Sequence, residues 1–114
     1  MSLTLTHVTF DCADATVMAE FWSAALERPI ADGASPEFAT LAGDGVPGWM
    51  FIQVPEPKST KNRVHPDLSS KDLDAELTRL KGLGATHLAD HDEDGTRWAT
   101  LADPEGNEFD VAAA

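Results

Sequence analysis

Two histidines stand at matching places in a chain that nearly repeats itself. Thr6-His7-Val8-Thr9-Phe10-Asp11-Cys12-Ala13-Asp14 and Val64-His65-Pro66-Asp67-Leu68-Ser69-Ser70-Lys71-Asp72 align at a constant offset of 58 residues (65 minus 7, and 72 minus 14). In each copy a strand-like run carrying the histidine leads to an aspartate, and a helical pattern follows. Such a duplication implies a pseudo-symmetric pair of modules with a site between them. Alternation along the closing strand of each copy adds Gln53 to His7 and Asp110 to His65. Two imidazoles, one carboxylate and one amide oxygen suit a first-row divalent ion such as iron(II), manganese, nickel, cobalt or zinc, rather than a thiolate centre. A lone histidine would read more simply as a hydrogen-bonded surface or core residue; the symmetric placement is what brings the metal reading level with that one.

The elements that must position these groups follow from periodicity. Thr4 to Asp11 alternates as a strand, with Val8 and Phe10 on one face and Leu5, His7 and Thr9 on the other. Asp14 is a helix N-cap for a stripe of Val17, Met18, Phe21, Trp22, Ala25 and Leu26, and Arg28-Pro29 stops that helix. Strands are predicted over 37–41 and 48–54, with Gly43-Asp44-Gly45 as the turn between them. Residues 55–61 form a proline-punctuated connector. The second half repeats the plan: a strand over 63–69, a helix marked by Leu73, Leu77, Leu80 and Leu83 with Gly84 at its end, then strands over 86–89, 97–101 and 107–111. Asp94-Gly95 is a hairpin signal between the first two of these.

Facing follows from the same alternation. Val8 and Phe10, with Pro66 and Leu68, are assigned to the helix-covered faces, so His7 and His65 point the other way. Met50, Ile52 and Val54 are matched with Phe109 and Val111 as helix-facing, which turns Phe51, Gln53, Glu108 and Asp110 into the cleft. Trp49, Phe51 and Trp98 read either as lining for a flat ligand or as core and interface residues. Cys12 reads as a small buried hydrophobe or, close to a helix N-terminus, a reactive thiol. The expected architecture is α+β: one domain over 1–114, built from a module at 1–57 and a module at 58–114.

Composition narrows the function classes. The chain has 114 residues, 42% of them hydrophobic, which suits one globular domain. Asp and Glu number 20 against 8 Lys and Arg, for a net charge of −12. Nucleic acid and anionic membranes are therefore disfavoured as partners. No apolar run is long enough for a membrane helix, and no secretory leader pattern opens the sequence. A single cysteine precludes an internal disulfide and points to the cytoplasm. Phosphate loops, zinc-ribbon cysteine pairs and nucleophile elbows are missing from the sequence.

One segment is more specific than any of these patterns. Ala102-Asp103-Pro104-Glu105-Gly106-Asn107-Glu108-Phe109-Asp110-Val111 resembles the closing-strand signature of the vicinal oxygen chelate superfamily, and Leu83-Gly84-Ala85 and Asn62-Arg63-Val64-His65 fit the same pattern. The superfamily includes glyoxalase I, bleomycin resistance proteins, fosfomycin resistance enzymes and extradiol dioxygenases. The whole chain is most similar to its short glyoxalase-like branch. The resemblance implies paired βαβββ modules whose sheets form a cup, usually in a homodimer. It implies one metal ligand from the first and last strand of each module, falling at His7, Gln53, His65 and Asp110, with Asp110 and Gln53 as the residues acting on substrate. The ligand would be a small molecule chelating through adjacent oxygens, undergoing a lyase, isomerase or dioxygenase reaction. The sequence departs from the pattern at Gln53 and Asp110, where glutamate is usual; an amide cannot act as a carboxylate base, and Asp110 is one methylene shorter. Glu108 is a fallback base. The alternative reading is a metal-free protein that sequesters a drug or metabolite, in the manner of bleomycin resistance proteins, with its acidic surface suited to a cationic ligand.

Overall fold

The structure is a computed structural model that describes residues 2–43 and 47–114. The chain divides into two compact units, Met1–Pro57 and Lys58–Ala114.

In the first unit, strand β1 (His7–Cys12) leads to helix α1 (Ala15–Leu26), then β2 (Phe38–Thr40) and β3 (Gly48–Gln53). The sheet order is β1-β3-β2, with β1 and β3 parallel and β2 antiparallel to β3. Asp14 caps α1 as expected, its side chain accepting from the N–H groups of Thr16 and Val17. The helix ends at Leu26, three residues before Pro29, because Glu27 takes a left-handed conformation (φ 56°). A single bridge between Ile30 and Leu41 stands where a further strand of a βαβββ module would lie. The expected turn at Gly43-Asp44-Gly45 falls partly outside the described residues.

In the second unit, β4 (Asp67–Ser70) leads to α2 (Leu73–Leu83), then β5 (Thr86–Glu93), β6 (Thr96–Ala102) and β7 (Glu108–Ala113). The order β4-β7-β6-β5 matches that of the first unit with one full strand added. Asp72 caps α2, and Gly84 closes it at φ 118°, a conformation glycine adopts without strain. The offset of 58 carries Asp14 onto Asp72, and the ends of β1 and α1's start onto those of β4 and α2. The strand expected from Arg63 begins only at Asp67. Pro66 has no N–H to give the ladder, and only its carbonyl joins, accepting from the Asp110 N–H.

Each helix covers one face of its own sheet. Under α2 lie Leu101, Phe109 and Val111, as alternation predicts. Under α1, Val8 and Phe10 of β1 face the helix as expected, but the parity of β3 is the reverse of the expected one. Phe51 is fully buried, while Ile52 is 36% exposed. The register pairs Phe10 with Phe51 and Val8 with Trp49, so all four share one face. There Trp22 of α1 stands 5.8 Å from the Phe10 ring and 5.0 Å from Trp49, and Phe10 is 5.5 Å from Phe51. Phe51 and Trp49 are thus held in the helix-facing aromatic cluster rather than turned to the open face. Aromatic area outweighs the aliphatic Met50 and Ile52 in choosing which side is buried. Among the described residues no helix is long and apolar enough to cross a membrane.

Candidate functional site

The open face of the second sheet carries a continuous row of polar side chains. Asp67 of β4 pairs with Asp110 of β7, and Asp110 with Thr100 of β6. Residues directly opposite share a face, so these three stand side by side. The Thr100 hydroxyl donates to Asp110 Oδ1 at 2.7 Å. His91 Nε2 lies 3.2 Å from the same hydroxyl, and its ring stacks on Trp98 at 4.8 Å and 20°. His65, just ahead of β4, places Nδ1 2.9 Å from Asp67 Oδ1 and 3.9 Å from Asp110 Oδ2. His65, Asp67 and Asp110 offer ligand atoms within 4.8 Å of one another, the one such group of three among the described residues. Asp110 is the most sheltered of them, its side chain 24% exposed against 43% for His65.

Two local devices hold this row in place. Asn62 accepts from the Glu108 N–H at 2.9 Å and donates to the carbonyls of Val64 and Glu108, tying the segment before His65 to the start of β7. Buried Asp103 accepts from the N–H groups of Glu105 and Asn107, both at 3.0 Å, and from the Asn107 amide. Gly106 completes that turn at φ 87°. The Asp-Pro-x-Gly-Asn segment is therefore a side-chain-braced turn that sets where β7 begins. Its role is positional; the chemistry lies on the strand it launches.

Lys61 forms an ion pair with Glu108, and this hydrogen bond holds the Glu108 carboxyl below the usual carboxylate range. A base is most effective near working pH, so the pairing makes Glu108 a weaker proton acceptor than its sequence position suggests. Arg97 likewise holds the Asp74 carboxyl low through a hydrogen bond. A carboxyl lowered in the folded state contributes stability that is complete above its ordinary value and disappears as pH falls through the lowered one. Glu108→Gln is therefore expected to lower stability slightly at neutral pH and to leave it unchanged in acid, which flattens the acid side of the curve. Urea midpoints measured across an acid pH series check this.

The first unit supplies less. His7 opens β1 on the outward face, opposite Gly48. A Cβ at Gly48 would come within 2.9 Å of His7 Cδ2, so glycine leaves the space that the imidazole fills. Gln53 is brought no closer to His7: it pairs with Cys12 at the far end of the strand, on the face opposite His7. Its amide donates to the Ala13 carbonyl at 3.0 Å, beside a shallow hollow formed with Val54 and Pro55. Register shows the reason. Thr9 pairs with Met50 and Asp67 with Asp110, and Asp67 follows Thr9 by 58 residues, so Met50 is the counterpart of Asp110. A thioether is a poor donor for hard divalent ions, so this unit offers no carboxylate at that place.

Of the sequence candidates, the second unit thus gathers His65 and Asp110, with Trp98 two residues from Thr100 on the same outward face. It adds Asp67, Thr100 and His91, which the sequence reading passed over. Asp67 lies two residues after His65 and Thr100 two after Trp98, so strand parity alone would have found both.

Comparison with known proteins gives the fold a context. The family model for the glyoxalase-like domain matches residues 7–112. A glyoxalase/bleomycin resistance protein/dioxygenase family enzyme from Burkholderia phytofirmans is similar with a TM-score of 0.80 at 20% identity, over 96% of this chain and 98% of that one. The fosfomycin resistance protein FosX from Listeria monocytogenes, a variant complexed with Mn(II) and a dihydroxypropylphosphonic acid, gives 0.81 at 14% identity over 100% and 92%. Lactoylglutathione lyase from Agrobacterium tumefaciens gives 0.68 at 13% over 98% and 94%. No curated protein matches by sequence.

Proposed function

Because the chain belongs to the glyoxalase-like domain family, we propose that it is a divalent-metal-dependent protein acting on a small molecule with two adjacent oxygens. The carrying observation is the convergence of His65, Asp67 and Asp110 ligand atoms on one outward face. Imidazole nitrogen and carboxylate oxygen together suit manganese, iron, nickel, cobalt or zinc. His7, the counterpart of His65 at the offset of 58, is proposed as a metal ligand on the duplication alone. The donor set on this face is one imidazole and two carboxylates, which leaves positions open for substrate. A bound ion supplies Lewis-acid stabilisation of charge developing on a substrate oxygen.

The chain's own residues do the rest. Asp67 Oδ1, 2.9 Å from His65 Nδ1, holds the imidazole beside Asp110. Thr100 occupies one oxygen of Asp110 and leaves the other available. Gln53 has no part in this centre. The FosX relative with Mn(II) and a dihydroxy acid supports the substrate class. The test is a calorimetric titration of metal-stripped protein with Mn(II), Ni(II) and Zn(II). Saturable binding at a fixed stoichiometry is expected; failure of all three ions to bind overturns the reading.

A second reading is favoured by Met50 standing where a carboxylate would be and by the stacked Trp98–His91 pair on the open face. In that case the protein sequesters a flat, cationic small molecule without metal. Quenching of tryptophan fluorescence by such a ligand, unaffected by chelator, separates it from the first.

A further inference from the structure

We infer that Thr100 and His91 are positioning residues that fix the carboxylate plane of Asp110, an inference that rests on the metal reading of the same face. A threonine hydroxyl has a single proton, and Thr100 spends it on Asp110 Oδ1 at 2.7 Å, since an ionised carboxylate only accepts. The contact between Thr100 Oγ1 and His91 Nε2 at 3.2 Å must then be donated by the histidine. Neutral His91 is thereby held with its proton on Nε2. Stacking on Trp98 keeps the ring in plane, 4.8 Å from the indole.

The consequence is directional. Threonine alone could swing its hydroxyl toward solvent; with a donor behind it, its lone pair is occupied and its proton is aimed at Asp110. The carboxylate keeps Oδ1 occupied and Oδ2 directed toward His65, 3.9 Å from Nδ1. An aspartate one methylene shorter than glutamate reaches less far and tolerates less rotation, so such bracing matters more here. All four groups are outward-facing neighbours on strands β5, β6 and β7 or just before β4, so the relay needs nothing from outside this sheet.

The experiment pairs two readouts on the full chain. In metal-free wild type, at a pH where histidine is neutral, long-range nitrogen–proton NMR should show His91 protonated on Nε2. Thr100→Val should release that preference, and Thr100→Ser should restore it. Mn(II) titration should show an affinity loss of about 10- to 100-fold for Thr100→Val, the range of outer-sphere metal partners, with Thr100→Ser close to wild type. His91→Phe keeps the stack but removes the donor and should lose part of the affinity, whereas His91→Gln, which retains an N–H, should recover it. An Nδ1-protonated His91 overturns the inference, as does full Mn(II) affinity in Thr100→Val. If wild type binds no Mn(II), the metal reading fails, and the tautomer result alone decides whether the relay exists.

Discussion

Replacing His65 with alanine is expected to lower divalent-metal affinity by more than about 100-fold, above what outer-sphere partners contribute. The imidazole is the only nitrogen donor in the cluster with Asp67 and Asp110, and its loss leaves two carboxylates, one of them largely in solvent. Folding should survive, because the His65 side chain is 43% exposed and substitutions at such positions usually stay within about 0.5 kcal/mol. His87→Ala is the control: that residue also pairs with an aspartate, Asp90, but lies outside the cluster. Metal content after chelator treatment and reloading, together with a thermal melt, reads both effects. Equal loss in the two variants, or none in His65→Ala, would remove the proposed centre.

Phe51→Ala is expected to cost about 3–5 kcal/mol, the usual range for emptying a buried phenylalanine site. Whole-domain stabilities are about 5–15 kcal/mol, so this variant should unfold at low denaturant. The reason is local: Phe51 is fully buried in a cluster where Phe10 also stacks on Trp49 at 5.3 Å. Ile52→Ala, one residue on, removes a side chain on the open face and should cost under about 1 kcal/mol. Urea unfolding followed by tryptophan fluorescence compares the two directly. A larger cost for Ile52 would reverse the register assigned to β3.

The duplication was legible in the residues alone, because capping and hydrophobic spacing are local. Asp14 and Asp72 cap helices through bonds spanning two or three residues, and Gly84 and Asp94-Gly95 act over similar distances. The placement of His65 just ahead of β4 and of Asp110 on β7 is legible for the same reason, since the opposite face of each strand is plainly apolar. Alternation predicts only the first half of β5, because Asp90, His91, Asp92 and Glu93 carry none, and so it does not reach His91.

Tertiary structure decided what periodicity leaves open. A strand in which both faces hold apolar residues, Met50 and Ile52 against Trp49 and Phe51, has no parity of its own. Packing against α1 chose the aromatic set, and that choice moved Gln53 to the face opposite His7 and put Met50 in the place of Asp110. The sequence by itself determined two capped βα units and their histidines. Pairing register, a long-range property set by which side chains fill a given volume, determined which neighbours those histidines have.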